Sequence, residues 1–257
     1  MKRGGLILLP NQHFFSVNIA MPKNILDGVK LFIFDLDGVI FDVVEAIRRS
    51  AADGIQKYDL DTTIEETMAD LAYLVEKLQA VPIPQIVLNS YELLKIPALE
   101  GISLIKRLQI TLYFYARFRE YKNDAKLFPG IDEIIKKLAA KHIPLAIFTN
   151  QKASYAQEVL QKFGLAQYFG KIFGYNEVSK TKPDPEGIVK LMEAFKIKDP
   201  NSVIYIGDMI TDIQAGEAAR VRIIAIGSGL VAKEKLQKES PTYFVNDTAE
   251  LAKLLTL

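Results

Sequence analysis

Four short apolar runs, each ending abruptly in polar residues, constrain this chain more than any other feature. Leu31-Phe32-Ile33-Phe34 runs into Asp35, and Leu145-Ala146-Ile147-Phe148 runs into Thr149-Asn150. Val203-Ile204-Tyr205-Ile206 runs into Gly207-Asp208, and Ile223-Ile224-Ala225-Ile226 into Gly227. A strand with one wet face alternates apolar and polar residues, and these runs do not alternate. They predict strands buried on both faces, as in a parallel sheet covered by helices. Helical patterns lie between them: Ile131, Ile134, Ile135 and Leu138 recur at the spacing of one helix face, as do Ile188, Leu191, Met192 and Phe195. Strand and helix alternating over residues 128–257 predict an α/β fold, a doubly wound and mostly parallel sheet of Rossmann-like type.

Residues 43–127 break that rhythm. They carry no comparable strand run, but long helical patterns over Thr62–Leu78 and Ile102–Tyr121, with Pro82, Pro84 and Pro97 as breakers. The expected organisation is therefore an α/β core made of 21–42 and 128–257, with an all-helical insertion over 43–127. An insertion directly after the first strand sits at that strand's carboxyl end, the edge where open α/β sheets bind ligands. Residues 1–20 precede the first clear pattern and are expected to be a loose extension, or the product of an upstream start site before Met21. Their apolar run Leu6–Leu9 stops at Pro10, with no small-residue cleavage site after it, so a signal peptide is not expected.

Composition removes several function classes. Cysteine is absent, which excludes disulfides, thiolate zinc sites and thiol nucleophiles. The only histidines are His13 and His142, which argues against a histidine triad or a histidine-rich metal site. Lys and Arg number 32 against 31 Asp and Glu, so no basic surplus points to nucleic acid. No apolar stretch reaches the ~18 residues of a membrane span, and the expected location is the cytoplasm.

Four polar clusters fall at strand ends or in the adjoining loops. Asp35-Leu36-Asp37-Gly38 places two carboxylates at close range, where they repel unless a cation lies between them. Mg²⁺ suits such a site, being a hard cation that takes few protein oxygens. Thr149-Asn150, at a strand end opening a helix, offers hydroxyl, amide and backbone N–H groups to an anion. Lys180-Thr181-Lys182-Pro183-Asp184-Pro185 is a loop whose lysine can bring charge to a phosphate. Gly207-Asp208-Met209-Ile210-Thr211-Asp212 puts two more carboxylates four residues apart, on one helical face.

These clusters, in this order, resemble the motifs of the haloacid dehalogenase superfamily of aspartyl-phosphate-forming phosphatases, close to its phosphoglycolate-phosphatase-like branch. Phe34–Asp42 looks like the first motif, Phe148-Thr149-Asn150 the second, Lys182-Pro183 the third, and Gly207-Asp208 with Asp212 the fourth. The helical insertion matches the position of that family's small helical cap. The resemblance implies a Mg²⁺-dependent hydrolysis of a small phosphorylated metabolite. Asp35 would be the nucleophile and Asp37 the acid and base, with Thr149, Asn150 and Lys182 holding the phosphoryl group. The metal would be held by the Asp35 carboxylate, the Asp37 backbone carbonyl and Asp208, with Asp212 behind them. True dehalogenases resemble this fold but lack an acid/base at the position of Asp37.

Plainer readings stand beside these. The acidic clusters could be turn or helix caps, and Thr149 and Asn150 an ordinary helix N-cap. Asp42, with Glu45 three residues on, has capping-box spacing. His142 is expected to end a helix in a left-handed conformation. Tyr113, Phe114, Tyr115, Phe118 and Tyr121 read as helix packing, and Gly227-Ser228-Gly229 lacks the third glycine of a nucleotide loop. Two other functions share the motifs: a phosphomutase of the β-phosphoglucomutase type, which needs a cap that excludes water, and a non-catalytic binding protein on the same fold. The insertion follows no cap pattern that names a substrate.

Overall fold

The computed structural model describes residues 24–78 and 99–257, with the side chains of 73–78 excepted. The expectation for residues 1–20 therefore lies outside the described residues. Among the described residues, β1 (Leu31–Phe34) is followed by α1 (Val44–Tyr58), α2 (Ile64–Leu78) and α3 (Leu104–Asn123). The chain then alternates: α4 (Ile131–Ala140), β2 (Leu145–Phe148), α5 (Ala153–Lys162), β3 (Phe169–Phe173), α6 (Glu186–Ala194), β4 (Val203–Gly207). It continues with α7 (Ile210–Ala218), β5 (Arg222–Ile226), α8 (Lys233–Lys238), β6 (Tyr243–Val245) and α9 (Thr248–Leu254). No helix among the described residues is long and apolar enough to cross a membrane.

The six strands form one sheet in the order β3-β2-β1-β4-β5-β6, with every pairing parallel. Pleating sends alternate residues of each apolar run to opposite faces, and both faces are covered. Phe32, Phe34, Ile147, Ile204, Ile206 and Ile224 pack with α4, α5 and α9 through Ile135, Leu160 and Leu251. Leu31, Ile33, Phe148, Val203 and Tyr205 pack on the other face with α6 and α7 through Ile188, Leu191 and Ala215. Truncating such a fully buried isoleucine or leucine to alanine costs about 2–5 kcal/mol. Ile131, Ile134, Ile135 and Leu138 are all buried, as the spacing requires; Phe195 stands one residue past the end of α6 and is only partly buried.

Two strands carry no run that the sequence reveals. β3 holds Gly170 and Lys171 and is exposed there, as an edge strand is, and β6 is three residues long. His142 does adopt the left-handed conformation, with φ 58°. Asp42 departs from the capping-box reading: its Oδ1 accepts from the Val44 N–H at 3.0 Å, two residues on, while the cap position is Val43 with no side-chain bond. α5 begins at Ala153 rather than directly after Asn150, and its first amide donates to Asn176 Oδ1 at 3.1 Å. Thr149 and Asn150 thus lie in a short loop, and that helix start is not a free anion site.

Strand order places the site. The chain winds from β1 outward through β2 to β3, then crosses back to set β4 on the other side of β1, so the order reverses between β1 and β4. Ligands of open α/β sheets bind at such a reversal, beyond the strands' carboxyl ends. Phe34 pairs with Ile206 and the Asp35 N–H donates to the Ile206 carbonyl at 2.9 Å, so Asp35 and Asp208 emerge side by side. The helices α1–α3 leave and return at this same edge. Phe41 bridges to Leu127, and the Asp42 N–H donates to the Lys126 carbonyl at 2.8 Å.

Candidate active site

Asp35, Lys182, Asp208 and Asp212 converge and are buried, at 5%, 3%, 3% and 0% exposure. Lys182 Nζ donates to Asp35 Oδ1 at 2.8 Å, to Asp212 Oδ1 at 2.6 Å and to the Tyr205 hydroxyl at 3.1 Å. The Tyr205 hydroxyl donates to Asp212 Oδ1 at 2.6 Å. Asp212 Oδ2 accepts the backbone N–H groups of Asp208 (3.1 Å) and Met209 (3.0 Å). Asp212 thus caps the start of α7 and fixes Lys182 with the same carboxylate, and its two oxygens are fully occupied by the protein.

The carboxylates of Asp35, Asp208 and Asp212 each bring an oxygen within 4.8 Å of the others. Three buried carboxylates against one ammonium leave a net charge of minus two, which a single divalent cation cancels. Asp208 supplies the more direct sign. Its Oδ1 is buried with no hydrogen-bond partner among the described residues, a costly state for a carboxylate oxygen that lacks a cation. Burial, then the Asp35 and Asp212 charges, push its carboxyl well above the usual range. Asp35 is pushed up to about 7 by burial, with Asp212 adding to the rise and Lys182 opposing it. Burial alone would lower the Lys182 ammonium, but Asp212 and Asp35 outweigh it and hold Lys182 above its ordinary range. The donor set fits a hard cation, with Asp35 and Asp208 free to offer oxygens and Asp212 engaged behind them.

A tight backbone cage surrounds Asp208. Gly38, at φ 88°, lies where a Cβ would fall 2.1 Å from Asp208 Oδ2, and a Cβ on Gly229 would fall 1.8 Å from the same oxygen. The Ser228 hydroxyl donates to the Gly38 carbonyl at 2.7 Å and ties the loop after β5 to the first cluster. Ser228 and Gly229 are therefore a wall of this site. Gly229 serves close approach to a carboxylate rather than to a nucleotide, whereas a Cβ on Gly227 would meet the Lys233 side chain.

Asp37 stands apart from the Lys182 cluster. Its Oδ2 accepts from Lys122 Nζ and from Gln151 Nε2, each at 2.8 Å, while its Oδ1 is buried with no hydrogen-bond partner among the described residues. Thr149 is buried, and its hydroxyl accepts the Gln151 N–H at 3.2 Å; Asn150 Oδ1 is another buried atom with no such partner. Lys122, Gln151 and Tyr205 are residues of this site that motif reading passes over, and Gly229 is one that it weighs only as part of a nucleotide loop.

The loop that carries Lys182 is held from outside. Glu186, at the start of α6, accepts the N–H groups of Ser179 and Lys180, each at 2.9 Å, and pairs with Lys190 at 2.6 Å. These donors depress its carboxyl to about 2. Lys180 itself is exposed and lies 3.6 Å from Asp184.

Known proteins of this architecture are numerous. A phosphoglycolate phosphatase of Psychrobacter arcticus is 28% identical over 231 residues, covering 88% of this chain and 95% of that one. The pyrophosphatase PpaX of Oceanobacillus iheyensis is 23% identical over 224 residues, covering 87% of this chain and 95% of its own. A haloacid dehalogenase-like family hydrolase from Streptococcus pneumoniae shares the fold with a TM-score of 0.63 at 18% identity, covering 88% of this chain and 98% of that one. The family model of haloacid dehalogenase-like hydrolases matches residues 32–226, a span that begins in β1, ends with β5 and contains the whole buried cluster; the chain belongs to that family.

Proposed function

We propose that this protein is a Mg²⁺-dependent phosphatase that hydrolyses a small phosphorylated metabolite through a phosphoryl group carried on Asp35. The observation that carries this reading is the buried Lys182–Asp35 pair beside the orphaned Asp208 oxygen. Phosphoryl transfer asks a protein for positioning and for neutralisation of spreading negative charge, and this cluster offers both. Relatives named phosphoglycolate phosphatase and pyrophosphatase support the reaction class. Helices α1–α3 of the 43–127 insertion act as a cap over the carboxyl edge of the core formed by 21–42 and 128–257; residues 79–98 of the insertion lie outside the described residues.

In this reading the Asp35 carboxylate, the Asp37 backbone carbonyl and Asp208 hold Mg²⁺, and Asp212 supports them from behind. The cation neutralises the phosphoryl oxygens and the nucleophile when it is bound. Asp35 attacks phosphorus through a carboxylate oxygen. As the bond to the leaving oxygen breaks, its electron pair stays on that oxygen, which takes a proton from Asp37. Lys182 lies against both the nucleophile and Asp212, where its fixed ammonium neutralises charge without reorganising. Thr149 and Asn150 orient the phosphoryl oxygens. Water then attacks phosphorus, passes its proton to Asp37, and releases inorganic phosphate with the Asp35 carboxylate restored.

The direct test is hydrolysis of p-nitrophenyl phosphate with and without Mg²⁺, by the native protein and by Asp35→Asn. Hydrolysis that needs Mg²⁺ and is lost in the variant is expected. Activity that survives in Asp35→Asn would overturn the reading. A phosphorylated-metabolite screen then separates phosphate release from transfer to a second hydroxyl.

A further inference from the structure

We infer that Lys122, carried by the inserted helix α3, is a positioning residue for Asp37: with Gln151 it occupies Asp37 Oδ2 and leaves Oδ1 as the atom that exchanges the proton. The inference rests on the acid/base role proposed for Asp37. Lys122 is 85 residues from Asp37 in sequence, yet its ammonium lies 2.8 Å from Oδ2. The chain path explains how it reaches. The insertion leaves and returns through a paired neck, the Phe41–Leu127 bridge, so the last turn of α3 is anchored beside the first cluster.

The contact is not an ordinary surface pair. The Lys122 and Asp37 side chains are only 12% and 18% exposed. The ammonium also lies over the Tyr155 ring at 4.6 Å and the Phe118 ring at 5.6 Å, which fixes it from the core side and from its own helix. Gln151 Nε2 approaches the same oxygen from the loop after β2, also at 2.8 Å. A proton on Oδ2 would point at two donors, so it belongs on Oδ1, which has no hydrogen-bond partner among the described residues. One clamp arm comes from the core and the other from the insertion. The attitude of the inserted helices therefore sets the orientation of the acid, and removing Lys122 should slow proton delivery without weakening phosphate binding.

The test compares kcat/KM for p-nitrophenyl phosphate, whose leaving group departs with little help, against phenyl phosphate, whose leaving group needs a proton. This ratio reports steps up to phosphoryl transfer to Asp35. Lys122→Met should lower kcat/KM about tenfold for phenyl phosphate and less than about twofold for p-nitrophenyl phosphate, a fraction of what general acid catalysis is worth. Lys122→Arg should restore part of the loss, and inhibition by inorganic phosphate should not change. Gln151→Ala, on the core arm, should show the same selectivity and covers the case in which Lys122→Met folds poorly. Equal losses with both substrates, or weakened phosphate inhibition, would overturn the inference and make Lys122 a substrate contact or a structural residue. If Asp37→Asn itself shows no leaving-group selectivity, the acid/base reading fails instead.

Discussion

Lys182 Nζ lies 2.6 Å from Asp212 Oδ1 across 30 residues of chain, and both side chains are buried. Lys182 also supports Asp35, and the Tyr205 hydroxyl shares Asp212 Oδ1, so one ammonium organises a carboxylate at the end of β1 and one in the first turn of α7. Lys182→Met leaves those carboxylates without their cation. Removing one partner of a buried pair costs about 3–5 kcal/mol. Turnover should fall on the order of 10²–10³-fold, as it does when a preorganised charge is removed. Denaturant unfolding beside steady-state rates checks both; a variant with native turnover contradicts the role given to Lys182.

Gly229→Ala tests the cage around Asp208. A methyl group there would sit 1.8 Å from Oδ2, so the carboxylate or the loop must shift. The expected result is a native-like circular dichroism spectrum with an increase of about tenfold or more in the Mg²⁺ concentration for half-maximal activity, an estimate equal to roughly 1.4 kcal/mol. An unchanged Mg²⁺ requirement argues that Asp208 does not hold the ion.

Stability should depend on pH in a direction set by Asp35. Its folded carboxyl is pushed up to about 7 from an ordinary 3.8, first by burial. Between those values the metal-free native state holds a proton that the unfolded chain releases, so stability falls as pH rises through that window. Asp208 acts in the same direction. Glu186 and Asp132, both held low, contribute below it. In chelator, the melting temperature should therefore drop from about pH 5 to about pH 7, and Mg²⁺ should remove the drop. A rise in chelator across that range would contradict the electrostatic account.

Much of this could be read from the sequence, for physical reasons. Strands buried on both faces leave runs without alternation, and β1, β2, β4 and β5 announce themselves that way. β3 and β6 lack that signature because one is an exposed edge with Gly170 and Lys171 and the other spans three residues. Asp35 and Asp208 were legible because charge at the end of a buried apolar run has few other uses; Lys182, in a loop, and Asp212, one helical turn past Asp208, were legible through the order of the polar clusters and their resemblance to a known motif set. Lys122 was not, because a lysine in the last turn of a helix is ordinary until the fold brings it to Asp37. Tyr205 was hidden inside an apolar run, where its hydroxyl makes no pattern.

Glu186 offers a test of the Lys182 loop from outside the cluster. Its carboxylate holds the Ser179 and Lys180 amides, and Glu186→Ala frees them. Because its folded carboxyl is depressed to about 2, its contribution is present at neutral pH and is lost as pH falls from the usual carboxylate range toward that value. At neutral pH the variant should lose about tenfold in kcat, equivalent to roughly 1.4 kcal/mol of misplaced ammonium. Native kcat in the variant would mean the loop is held by other contacts.

The central claim is that Asp35 carries the phosphoryl group, and an acid quench during turnover tests it most directly. With a substrate bearing a radiolabelled phosphoryl group, label should appear on the peptide containing Asp35, disappear on treatment with hydroxylamine, and be absent from Asp35→Asn. An actively turning-over native enzyme that gives no labelled peptide, or label that persists on the same peptide in Asp35→Asn, contradicts the account.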